Sequence, residues 1–134
     1  MFMKDVESLR EYAAKFAETL RAPQCVALHG GLGVGKTEFA RTVIRRLRGA
    51  DTIVPSPTFT LVQEYDGISH FDLYRIKNAG ELEEIGFFDS LARDIVLVEW
   101  PEIAESFLPK NTIHICMSVK NDGREIKIAE TEKS

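Results

Sequence analysis

Only two cysteines occur in the 134 residues, Cys25 and Cys116. They sit in the apolar stretches QCVAL and IHICM, with no C-x-x-C and no metal-type spacing. This excludes a disulfide scaffold and a zinc module, and both read as reduced, buried core thiols. The three histidines, His29, His70 and His114, form neither a triad nor an H-E-x-x-H pattern. No apolar run approaches the roughly 20 residues needed to cross a bilayer. The opening MFMKDVESLREY mixes charge and hydrophobe as no secretory leader does, so a cytoplasmic chain without membrane contact is expected. Basic charge is not in excess either: 17 Lys and Arg against 21 Asp and Glu give −4, which excludes a whole surface that traps nucleic acid. Repeats and low-complexity tracts are absent.

What is present suits one globular domain over 1–134, long enough to bury its own core. Val6, Leu9, Ala13, Phe16 and Leu20 recur at helical spacing, predicting a helix over about 5–21 with Asp5 as N-cap and Pro23 beyond its end. QCVALH, 24–29, reads as a short strand that runs into GGLGVGKT, 30–37. Phe39, Val43 and Leu47 then line a helix that stops at Gly49. Pro55 and Pro57 keep 51–58 irregular. FTLVQEY and ISHFDLY flank Asp66-Gly67 as a hairpin. One or two short helices follow in 78–93, interrupted near Gly86. DIVLVEW, 94–100, has the unbroken β-branched character of a strand buried on both faces of a parallel sheet. Pro101 opens a short helix. TIHICMSV and REIKIAE form a second hairpin about Asn121-Asp122-Gly123, and the last residues, ETEKS, read as frayed.

Gly30, four residues, Gly35, Lys36 and Thr37 satisfy the phosphate-loop pattern G-x-x-x-x-G-K-S/T. A chance match in a chain this short is on the order of one per cent or less at ordinary glycine usage. The flanking order of strand, loop and helix matters more: successive backbone amides wrap the phosphates, and the helix N-terminus adds partial positive charge. Gly30, Gly31, Gly33 and Gly35 leave that approach clear. Lys36 is expected on the β and γ phosphates and Thr37 on Mg²⁺. Leu32, Val34 and Glu38 complete the nucleotide-binding stretch. The chemistry also needs an acid at the end of a neighbouring strand. Glu99, closing IVLVE, is the first candidate and Asp72 in HFDLY the second, one to hold metal and the other to position water, in an order that stays open. Without an N/T-K-x-D guanine signature, ATP is favoured over GTP. The residues after the loop leave little room for the acceptor pocket and lid of a small kinase. Arg41, Arg45, Arg46 and Arg48 read as a solvated helix face or a docking patch. Trp100 is expected near the site, and Phe87 and Phe88 in the core.

GGLGVGKT, SPTFTLVQEY, HFDLYR and LVEWPE, in this order and spacing over nearly the whole chain, resemble the TsaE family, also called YjeE, the ATPase component of bacterial threonylcarbamoyladenosine synthesis at tRNA position 37. The resemblance implies an α/β phosphate-loop NTPase-like fold of three layers, a small mixed sheet flanked by helices. It implies ATP and Mg²⁺ as ligands, and hydrolysis supported by two related subunits of the threonylcarbamoyl transferase complex, through which tRNA is mainly contacted. Carried over by residue, Lys36, Glu99 and Asp72 match the catalytic positions, and Thr37, Glu99 and Asp72 the metal site. Ser56 to Thr60 match a switch-like segment, and Arg124, after Gly123, a Gly-Arg pair near the base. The chain departs from the pattern at Gly31, where Asp is usual, at Glu38, where a small hydroxyl residue is usual and the added charge is expected to weaken nucleotide binding, and at Leu9, which replaces a Thr. The leading expectation is a slow ATPase, with Arg75 a candidate cation for the reaction. A non-hydrolysing nucleotide switch and a small kinase are the alternatives.

Overall fold

The computed structural model describes residues 1–55 and 61–130. Four strands run parallel through the centre of a mixed seven-stranded sheet: β2 (Gln24–His29), β4 (Ile68–Asp72), β5 (Ile95–Glu99) and β6 (Ile113–Lys120). Three further strands pair antiparallel at the flanks: β1 (Phe2–Met3), β3 (Val62–Glu64) and β7 (Gly123–Glu130), giving the order β1-β7-β6-β2-β5-β4-β3. All five residues of β4 and of β5 are buried, because helices cover both faces there and an unbroken apolar strand satisfies both layers at once.

One face carries α1 (Val6–Ala17) and α2 (Lys36–Arg48), whose Leu9, Ala13, Phe39, Val43 and Ile44 pack on Val26, Leu28, Leu97 and Ile115. The other carries α3 (Ala79–Glu84), α4 (Phe87–Arg93) and a 3-10 helix, Pro101–Phe107, whose Leu82, Phe87 and Ala104 pack on Ala27, Phe71, Val96 and Val98. The expected three-layer α/β fold is thus observed. Among the described residues, no helix is long and apolar enough to cross a membrane.

Local chemistry sets the boundaries. Asp5 caps α1, its Oδ1 accepting from Ser8 N–H at 2.8 Å. The α-helix ends at Ala17, short of the predicted residue 21, and Thr19 N–H and Leu20 N–H bond back to Phe16 and Ala17 in a tighter final turn. Both predicted hairpins form, and the helix after the loop stops at Gly49 as predicted.

One expectation is corrected. Cys116 is exposed, not core: side chains alternate along β6, and Ile115 and Met117 take the covered face. The short helix expected from Pro101 forms, as a 3-10 helix. The α2 arginines lie on the solvent side of the helix, Arg45, Arg46 and Arg48 exposed, and make contacts there. Arg41, Arg45 and Arg48 donate to the carbonyls of Val54, Thr52 and Asp66 at 3.0, 2.9 and 2.9 Å, and Arg46 pairs with Glu18. Arg41, Arg45 and Arg48 thus fasten the following chain to the helix, and Arg46 ties the helix to the end of α1. The Ser56–Thr60 segment and the tail after Glu130 lie outside the described residues.

Candidate functional site

The C-terminal ends of β2, β4 and β5 lie along one edge of the sheet, since the strands are parallel and in register, with Asp72 opposite Glu99 and Leu28 opposite Glu99 on the other side. Loops leaving such an edge are where α/β sheets place ligands. Here the loop 30–35 leaves β2 and enters α2.

Gly35 stands at the N-cap of α2 with φ 115°, and no side chain caps the helix. The first helical bond runs from Phe39 N–H to the Gly35 carbonyl, so the three amides before Phe39 lack an acceptor within the helix and face the loop. Gly30 is the position where only glycine fits. Its φ is +147°, and a Cβ would lie 2.7 Å from the Met117 carbonyl oxygen and 2.8 Å from Val34.

Lys36 is buried, and its Nζ donates to the Gly30 and Gly31 carbonyls at 2.6 and 2.8 Å. The ammonium also lies 4.1 Å from the centre of the Trp100 ring, a cation–π contact. Burial lowers its pKa, and Glu99, Asp72 and Glu102 pull in the opposite direction. Trp100 itself has φ 56°, a left-handed conformation rare for a bulky residue, and its ring packs on Tyr74 at 4.8 Å. Its predicted place near the site is thus observed.

Thr37 Oγ1 donates to the Glu99 carboxylate, 2.9 Å from Oε1 and 3.0 Å from Oε2. Asp72 is buried, and its Oδ1 accepts from Tyr74 N–H at 3.0 Å. It is no solvated edge charge, because β3 covers one flank of β4 and β5 the other. Leu32, Gly33, Gly35, Lys36, Thr37, Glu38, Asp72, Glu99 and Trp100 together line a cleft of about 270 Å³. Arg75 is exposed and is not among them.

A second concavity, lined by Met3, Val6, Leu9, Asp122 and Arg124 among others, shares Gly35 and Glu38 with the cleft. Arg124 Nε donates to the Val34 carbonyl at 2.9 Å and Nη2 to the Gly33 carbonyl at 3.3 Å. The guanidinium therefore grips the loop from β7. Glu38 is bracketed by Arg41 Nη1 on Oε1 and Arg10 Nε on Oε2, both at 2.8 Å. Burial alone would raise its pKa, but the two guanidiniums outweigh it and the net shift is downward. The extra negative charge seen in the sequence is thus compensated where it stands.

His70 was missed from sequence. Its Nε2 lies 2.7 Å from Glu99 Oε2 in the buried core. The available signal was HFD, where positions two apart share one strand face. The other two histidines pair with each other, His29 Nε2 2.9 Å from His114 Nδ1. Among the described residues no group of three or more His, Cys, Asp or Glu could hold a metal on its own.

A family model described as threonylcarbamoyl adenosine biosynthesis protein TsaE matches residues 3–126. The tRNA threonylcarbamoyladenosine biosynthesis proteins TsaE of Rickettsia bellii and Haemophilus influenzae are each 38% identical to the chain, over 90% and 97% of its length and 86% and 89% of theirs. The namesake from Bacillus subtilis is 33% identical over 92% of this chain and 78% of its own. The crystal structure of Bacillus subtilis YdiB superposes with a TM-score of 0.79 at 26% identity, covering 98% of this chain and 84% of that one.

Proposed function

The chain belongs to the TsaE family, and from that premise we propose that it binds Mg·ATP at the glycine loop and hydrolyses it. The turnover supports the formation of N6-threonylcarbamoyladenosine at position 37 of tRNA. The observation that carries this reading is the Thr37–Glu99 contact beside a buried Lys36. A hydroxyl has one proton and two lone pairs. By giving the proton to Glu99, Thr37 keeps its lone pairs for a cation.

The donors suit magnesium. Thr37, Glu99 and Asp72 offer hard oxygens only, and too few to cage an ion unaided. Mg²⁺ is ordinarily held by one or two carboxylates together with waters and substrate phosphates. Held by these residues, the ion would supply positive charge to offset the negative charge of the terminal phosphates.

The chain's own groups do the rest. Lys36 spends two of its three ammonium protons on the Gly30 and Gly31 carbonyls, which aims the third at a phosphate oxygen. The free amides at the start of α2 take the remaining phosphate charge. The concavity between Leu9 and Arg124 receives the nucleoside, with Gly35 and Glu38 at the junction. Asp72 orients the attacking water, whose oxygen bonds to the terminal phosphorus as the bond to the bridging oxygen breaks. ADP and inorganic phosphate leave. Among the described residues lining the cleft Lys36 is the only cation, and a second positive charge for the transition state comes from a partner, as with cations supplied in trans. The partners are the two related subunits of the threonylcarbamoyl transferase complex, and tRNA is met mainly through them.

The test is equilibrium titration of the full chain with Mg·ATP, wild type against Lys36→Ala, followed by turnover with and without the partner subunits. Binding that Lys36→Ala loses, and a partner-dependent rise in phosphate release, are expected. Absence of a complex, or identical behaviour of the two proteins, overturns the reading.

A further inference from the structure

The histidine behind Glu99 has no part in the scheme above, and we infer that His70 is the positioning residue that holds the Glu99 carboxylate in its working orientation. The inference rests on the proposed reading of the site. Ile68, His70 and Asp72 alternate onto the α2 side of β4, and Leu97 and Glu99 do the same on β5. His70 therefore sits one step deeper than Asp72, at the boundary between the aliphatic core and the cleft. It has no solvent exposure.

An ionised carboxylate can only accept hydrogen bonds, so the 2.7 Å contact to Glu99 Oε2 places the imidazole proton on Nε2. Nδ1 is buried without a partner among the described residues. A proton there would be an unsatisfied donor in the core, costlier than a bare lone pair. The ring thus delivers a single hydrogen bond, to a single atom. Packing alone would favour an aliphatic residue at this point, as at Ile68 and Leu97, because burying a polar ring costs free energy unless its bond is used. The bond is used to pin Oε2 from beneath while Thr37 engages both carboxylate oxygens from above. Without His70 the carboxylate is free to turn about its terminal torsion, which the single Thr37 hydroxyl does not prevent.

Two variants separate positioning from packing. His70→Leu keeps the bulk and removes the donor. His70→Gln restores an N–H within reach of Oε2. On the full chain, His70→Leu is expected to lower kcat for Mg·ATP about tenfold to hundredfold with KM within about twofold, the range found when partners of site ligands are removed. His70→Gln is expected to recover most of the loss. If His70→Leu does not fold, the expectation for His70→Gln is a kcat within about threefold of wild type, against the larger loss typical of an unsupported ligand. A readout without nucleotide stands beside these: in the full chain with ¹⁵N-labelled histidine, NMR is expected to show His70 protonated on Nε2, with that resonance moving on Glu99→Gln. Unchanged kcat in His70→Leu, no rescue by His70→Gln, or a proton on Nδ1 overturns the inference. If the wild-type chain binds no Mg·ATP, the proposed function falls by itself and the NMR result decides the His70 contact alone.

Discussion

Replacing Arg124 with methionine keeps most of the side chain's apolar stem and deletes the guanidinium. Two loop carbonyls lose their donors, Val34 at 2.9 Å and Gly33 at 3.3 Å. The second bond is long and solvent-exposed and counts for little. The first has ordinary length and a charged donor, a class worth about 1.5–3 kcal/mol, and partial exposure places it at the low end. Lys36 holds the loop's other end through the Gly30 and Gly31 carbonyls, but the middle is open: a Cβ at Gly31 or Gly33 would touch nothing within 4 Å, and Leu32 is 77% exposed. If nucleotide binding requires the loop in this shape, about 1.5 kcal/mol of lost ordering raises the Kd for Mg·ATP roughly tenfold. Calorimetric titration at fixed ionic strength measures this, and Mg·tripolyphosphate supplies the discriminating arm. Loss of loop ordering weakens both ligands equally, whereas a contact to the base weakens ATP alone. Arg124→Lys is expected to fall between wild type and Arg124→Met, since an ammonium lacks the fork that spans two carbonyls. A Kd for both ligands within about twofold of wild type, with only thermal stability reduced, would refute the reasoning.

The two thiols are expected to differ in reactivity. Burial pushes the Cys25 thiol up to about 12, whereas Cys116 is exposed. At about pH 8 an aromatic disulfide reagent should therefore titrate one thiol rapidly and the second only in denaturant. Cys116→Ser should abolish the fast phase, and two fast thiols in the native chain would contradict the burial of Cys25. Acid stability supplies another check. The Arg93 guanidinium holds the Asp94 carboxyl below its ordinary 3.8, burial opposes this, and the Ser69 hydroxyl adds to the lowering. A carboxyl with a depressed folded pKa contributes stability that is complete above the unfolded value and is lost as pH falls from there through the folded one. Denaturant unfolding across that window is expected to show a flatter pH slope for Asp94→Asn than for wild type, and equal slopes would count against the Arg93–Asp94 contact.

Legibility followed the range of the interaction. Asp5 capping α1, the Asp66-Gly67 and Asn121-Asp122 turns and the end of α2 at Gly49 depend on neighbours a few residues away, so the sequence displays them. The candidate cleft was legible for the same reason on its loop side, where Gly30, Gly35, Lys36 and Thr37 are contiguous. Contacts across the sheet were not. The two-residue β1 has no pattern of its own and forms because Phe2 and Met3 find Glu125 and Arg124 on β7. Cys116 shares its apolar surroundings with Ile115 and Met117, and only the helix layer decides which face of β6 is covered.

The amino-acid sequence by itself determined that a glycine loop joins a strand to a helix, and that Lys36 and Thr37 open that helix. Covalent connectivity and backbone sterics leave few other outcomes for G-x-x-x-x-G-K-T between those elements. Tertiary structure alone decided which distant groups meet there. Parallel pairing of β4, β2 and β5 brings Asp72 and Glu99 to the loop, and the closing of β7 over it delivers Arg124. The same pairing seats His70 against Glu99, 29 residues apart in the chain. Such meetings depend on register and layer order, set by the burial of two apolar faces at once, and no local stretch of residues encodes them.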